Sequence, residues 1–170
     1  MPFLYALMCD KTEASYSAIF EKVREKITQL VPHFNAPLRW TYMMADFEQA
    51  SINAFRTVFP QVRVVGCFFH HCQSIHRYVS SRLHYKRLYD EKGGFHSAVR
   101  RVMCLALLPQ HEINDAFERL QDALPDDVSD LCQRFFQYYT ETWLDGFRVD
   151  TFCVNALPDR TNNKVIVCLR

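Results

Sequence analysis

Glycine is scarce, at four in 170 residues. That excludes collagen-like repeats and Gly-rich low complexity, and no phosphate loop of the GxxxxGK[ST] type is present. Neither charge dominates: Lys plus Arg is 20 and Asp plus Glu is 19. Any nucleic-acid contact must therefore come from a local patch. No GxSxG elbow, HExxH or CxxC motif occurs. Long hydrophobic runs are missing as well. The apolar stretch from Phe3 to Cys9 is too short to span a bilayer, and no basic region or cleavage site goes with it. The chain reads as intracellular, with no membrane partner. Its seven cysteines are odd in number and scattered through segments that read as helices and strands. They read as reduced, small core residues. A hydrophobic fraction of 49% suits a globular fold and excludes a disordered tail.

The pattern predicts three strands, over 3–9, 39–45 and 62–67, each followed by a helix. Asp10-Lys11-Thr12 offers a cap to the first helix, which carries Tyr16, Phe20, Val23, Ile27 and Leu30 at helical spacing. The second helix runs from about Glu48 to Val58 and stops before Pro60. The third is basic and runs from about His70 to Leu88. Strand-to-helix units in series favour parallel pairing and an α/β layer. After Gly93-Gly94 the alternation gives way to three amphipathic helices in a row, led by Phe95, Ile113 and Val128. Periodicity fades from Gly146 onward, where a loop and one short strand at 165–169 are expected. The expected organisation is thus an α/β part over 1–90, an all-helical part over 91–145 and an irregular segment over 146–170.

Charge is segregated along the helices. Seven basic residues lie between Arg77 and Arg101, against Asp90 and Glu91. Seven acidic residues lie between Glu112 and Asp130, against Arg119 alone. Two solvated helix faces would explain this. So would a basic surface facing a polyanion, with Arg77, Arg82, Lys86 and Arg87 as the DNA-contacting residues.

Asp46 is the first candidate for chemistry. It stands at the carboxyl end of a strand, the edge where open α/β sheets collect ligands. A carboxylate there suits Mg²⁺, a hard cation that takes oxygen. It also suits the N-cap of the following helix. The second candidate is the run from Cys67 to His76. Cys67-x-x-His70 and Cys72-x-x-x-His76 invite a structural zinc site. Against zinc, the first pair spans a strand end and the second lies on a helix. A core cysteine with helix-face histidines is therefore the stronger reading. A third is that Cys67 and His70 orient groups beside Asp46.

These residues resemble the transposase domain of Mutator-like elements (MULE). The resemblance rests on Tyr5-Ala-Leu-Met8, Lys11-Thr12 with Tyr16, Asp46-Phe-Glu48-x-Ala50, Phe59-Pro60, and Gly66-Cys-Phe-Phe-His70-x-x-Gln73 with Arg77. Leu107-Leu-Pro109, Tyr138-Tyr139, Trp143 and Asp159-Arg-Thr-Asn-Asn163 continue it. The resemblance implies an α/β, RNase H-like fold interrupted by an all-helical insertion. It implies a nuclear protein that cleaves and joins DNA through three acids and two Mg²⁺ ions, which in such sites sit about 3.5–4 Å apart. By resemblance Asp46 is the middle acid and a metal ligand, and Cys67 and His70 are the motif beside the active site. The first acid of the family would precede the segment that opens this chain, and Ile166 stands where the last Glu would be. The expectation is therefore an incomplete transposase catalytic domain, inactive alone. The alternative is a non-catalytic DNA-binding or protein-interaction module derived from one.

Overall fold

A computed structural model describes residues 6–30 and 41–161. Its described residues are mostly helical, with one two-stranded parallel sheet. The chain divides into two compact units, residues 1–65 with 161–170, and residues 66–160.

In the first unit, helix α1 (Glu13–Leu30) starts where its sequence says it should. Thr12 Oγ1 accepts from Ser15 N at 3.3 Å, satisfying an amide of the first turn. The Asp10 carboxylate accepts in turn from Ser15 Oγ at 2.6 Å and Thr12 Oγ1 at 2.8 Å. These bonds, that from Ser15 foremost, hold the Asp10 carboxyl below the ordinary carboxylate range. Strand β1 (Tyr42–Ala45) leads into α2 (Gln49–Val58), and β2 (Arg63–Gly66) follows beside β1. Tyr16 and Phe20 are the buried residues of α1. The ring of Phe20 meets Phe55 of α2 edge-on at 5.2 Å, and Phe55 packs on Phe59 at 4.9 Å. Helix α2 stops before Pro60, whose ring disfavours helical backbone in the residue it follows.

The strand expected over 3–9 falls partly outside the described residues, and 6–9 carries no strand. Residues 31–40, which hold the start of the expected second strand, and the strand expected at 165–169 lie outside them too.

In the second unit, α3 (Phe68–Arg77) runs into a π-helical turn (Tyr78–Arg82). A short α4 (Lys86–Asp90) and α5 (Gly94–Cys104) follow. Two 3-10 turns, Leu105–Leu107 and Gln110–Glu112, lead to α6 (Ile113–Asp122) and α7 (Asp126–Tyr139). A second π-helical stretch (Thr140–Phe147) ends in α8 (Val149–Phe152). The single basic helix expected from 70 to 88 is thus corrected to α3, a π turn and α4. The π turn takes in an extra residue, so Leu83 N reaches back to Tyr78 O at 3.0 Å. His84, at φ 59°, then turns the chain out of helical geometry.

The three amphipathic helices expected after Gly93 are α5, α6 and α7. Helices α5 and α7 approach closely: a Cβ on Gly94 would lie 2.6 Å from Val128 Cγ2. The end of the unit is not a free loop. Val154 N donates to Ala106 O at 2.8 Å, Asn155 Nδ2 to Leu107 O at 2.8 Å, and Cys153 Sγ to Leu108 O at 3.2 Å. Phe68 N, at the start of α3, donates to Arg160 O at 2.9 Å. This ties the start of α3, within the Cys67-x-x-His70 motif, to the backbone of Arg160.

Candidate functional site

Asp46 follows the last residue of β1 and is exposed. It does not cap α2, so the N-cap alternative is corrected. The helix begins at Gln49, with Glu48 in the cap position and no side-chain cap bond there. Phe47 separates the two acids at φ 65°. A left-handed turn at an aromatic residue costs on the order of 1–3 kcal/mol, and it sets Asp46 two residues ahead of the cap.

Glu48 is engaged otherwise. Its carboxylate accepts from the Tyr16 hydroxyl at 2.7 Å and from the Lys11 ammonium at 3.3 Å. Burial is the main cause that raises the Tyr16 hydroxyl far above the ordinary tyrosine value. The bond to Glu48 and the nearby charges of Glu48 and Asp46 add to it. Tyr16 is therefore a neutral donor at any working pH. Lys11, Tyr16 and Glu48 tie the start of α1 to the start of α2, just behind Asp46. All three belong to the motif residues quoted above, and their meeting is what the sequence reading missed. The signal available for it was their shared membership of that motif set.

Cys67 and His70 belong to the second unit, whereas Asp46 belongs to the first. Cys67 is buried and occupies the cap position of α3 without a side-chain cap bond. His70 is half-buried and meets Phe69 edge-on at 5.4 Å. Its Nδ1 is buried and has no hydrogen-bond partner among the described residues. Cys72 is half-buried too. Burial above all pushes its thiol up to about 11, so it is protonated at neutral pH and a poor metal ligand as it stands. His76 is exposed and packs on Tyr89 at 5.1 Å.

The buried histidine is His71. Its ring stacks on Phe152 at 5.3 Å and meets Trp143 edge-on at 4.4 Å and Tyr139 at 6.1 Å. Burial pulls its pKa down to about 3, so it is neutral in the fold. The sequence did carry a signal for this. Cys67, His71, Ile75 and Val79 recur at a spacing of four, and all four are fully buried.

The four DNA-contacting candidates lie on three elements. Lys86 pairs with Asp90 at 2.6 Å and Arg87 with Glu91 at 3.2 Å, both along α4. Exposed pairs of this kind are worth little, so they exchange readily for phosphate. Arg77 closes α3 and Arg82 closes the π turn. Both are exposed, and neither has an ion-pair partner among the described residues.

Part of the chain is similar to a family of transposase domains. The matching family model is that of the MULE transposase domain, and it covers residues 1–74, less than half of the chain. The match takes in Lys11, Tyr16, Asp46, Glu48, Cys67 and His70. The later motif residues, from Leu107 to Asn163, lie beyond it. No curated protein and no solved structure matches the chain.

The transposase family brings two Mg²⁺ ions with it by implication. Among the described residues no three His, Cys, Asp or Glu side chains converge as a metal site requires. Asp46 is one carboxylate, and Glu48 is turned to Tyr16 and Lys11. The described residues do not fit a two-metal centre. No described helix is long and apolar enough to cross a membrane.

Proposed function

We propose that this transposase-derived chain is a DNA-contacting part of a MULE catalytic domain, with Asp46 as its one catalytic-type acid, and that it does not cut DNA by itself. The observation that carries the reading is the family match over residues 1–74, with Asp46 exposed behind β1 and not used as a helix cap. Arg77 and Arg82, exposed and without ion-pair partners among the described residues, support the DNA contact, with Lys86 and Arg87 added when their local pairs open. Such contacts read the phosphate backbone and not the bases, so affinity is independent of sequence. A chain acting on chromosomal DNA in this way works in the nucleus. Cys67 and His70 stand in this reading as supporting residues of the same catalytic domain.

Catalysis is the part that the described residues support least. Holding two divalent ions takes several converging anionic oxygens, and one carboxylate leaves Mg²⁺ hydrated and mobile.

Titration of a labelled duplex over a range of salt tests the first half. The expected log K falls linearly with log salt, and Arg77→Ala with Arg82→Ala lowers the slope by about two. Salt-independent binding, or a slope the double variant leaves unchanged, refutes it. Incubation of the duplex with Mg²⁺ or Mn²⁺ tests the second half. Cleavage by the wild-type chain that Asp46→Asn abolishes refutes that part.

A further inference from the structure

An apolar groove of about 310 Å³ lies at the C-terminal end of α5, lined by Arg100, Arg101, Cys104, Leu105, Leu108 and Leu120. Three leucines and two arginines are among the residues that line it. No acid lines it. Arg100 and Arg101 are exposed, and neither has an ion-pair partner among the described residues. Two unpaired cations beside exposed apolar surface form a place where something apolar and acidic fits.

The same unit carries a feature of the complementary kind. Leu131 on α7 is 39% exposed, one of the large hydrophobic side chains left on the surface. Asp127 stands one helical turn before it and Asp130 immediately before it, both exposed. They belong to the acidic run from Glu112 to Asp130, which answers the basic run from Arg77 to Arg101. Leu131 is not among the groove residues, so one molecule can offer both surfaces at once.

We propose that a second copy of this chain docks here, with its Leu131 in the leucine groove and its Asp127 and Asp130 against Arg100 and Arg101. The contact joins two different patches, so it is head-to-tail and either closes into a ring or grows. It is small by the standard of stable interfaces, so it forms at high protein concentration and weakens with salt. It is separate from the DNA-binding reading, which uses Arg77, Arg82, Lys86 and Arg87.

Sedimentation velocity of the full chain, from micromolar to several hundred micromolar, is the test. The sedimentation coefficient should rise with concentration in low salt, and less so in high salt. Leu131→Ala should weaken the association about tenfold or more. Arg100→Glu with Arg101→Glu should abolish it, and so should Asp127→Arg with Asp130→Arg. Mixing these two reversed chains should restore it, because each then meets its opposite. All five positions are exposed, and circular dichroism confirms that each variant is folded. A monomer throughout the range in low salt overturns the proposal. Association that survives Leu131→Ala and both reversals also overturns it, since another surface then holds the copies. So does an acidic leucine-containing peptide bound in the groove by a chain that stays monomeric, which would make the occupant a foreign protein.

Discussion

Acidification to pH 5 should destabilise the second unit through one residue, His71. Its imidazole lies among Phe152, Trp143 and Tyr139, and burial lowers its pKa to about 3. In the unfolded chain the same ring titrates near its ordinary value of 6.5. Between these values the unfolded state binds the proton and the folded state does not. Stability is therefore complete above pH 6.5 and is lost as pH falls towards 3. At pH 5 the unfolded ring sits 1.5 units below its pKa, which amounts to about 2 kcal/mol against folding. That is a sizeable part of the roughly 5–15 kcal/mol that holds an ordinary domain together. Urea unfolding at pH 7 and pH 5, followed by tryptophan fluorescence in a Trp40→Phe background so that Trp143 alone reports, measures it. His71→Phe removes the titrating group and keeps a ring in place. The protein that keeps His71 should lose about 2 kcal/mol more than the variant over that interval. Equal losses in the two proteins would show that His71 is charged in the fold, or solvated, and would refute the reasoning.

Gly94→Ala should cost about 1–3 kcal/mol, because the new methyl group meets the stiff Val128 side chain at 2.6 Å. Adding Val128→Ala should recover part of that loss, and urea midpoints decide; an unchanged Gly94→Ala midpoint would mean the helices separate freely. Lys92, exposed just past the end of α4 at φ 56°, should gain up to about 1 kcal/mol as Lys92→Gly. A loss on thermal melting would show that its backbone is not left-handed. Tyr16→Phe should cost about 1–3 kcal/mol through the lost bond to the Glu48 carboxylate. If the Tyr16→Phe melt matches wild type, the Lys11, Tyr16 and Glu48 trio holds nothing together.

What the sequence determined by itself is the local part. The centres of β1 and β2 fall where runs of apolar residues predict them, and α2 stops before Pro60. The helices α5, α6 and α7 follow from apolar spacing, with Pro109 and Pro125 between them. These features depend on neighbours within a turn or two, and a side-chain period of two or of 3.6 records them directly. Asp46 at a strand end was legible for the same reason. The motif residues Lys11, Tyr16 and Glu48 were legible as a set, although not as one hydrogen-bonded group.

Tertiary structure decided what depends on partners far along the chain. The motifs Cys67-x-x-His70 and Cys72-x-x-x-His76 offer His70 and His76 as candidate donors and pass over His71 between them. The spacing of Cys67, His71, Ile75 and Val79 marks His71 as inward-facing, and the packing of α7, the second π stretch and α8 removes it from water. The sequence marks Gly93-Gly94 as a break, yet the left-handed residue is Lys92, while Gly94 gives clearance for Val128. The segment from Cys153 to Arg160 has no period, so it read as loop. Its order comes from bonds to Ala106, Leu107 and Leu108 and from the carbonyl of Arg160, which receives the amide of Phe68. Whether Asp46 caps α2 turned on a single backbone angle, that of Phe47. No side-chain pattern encodes such an angle, because the strain it costs is offset only by the packing that surrounds it.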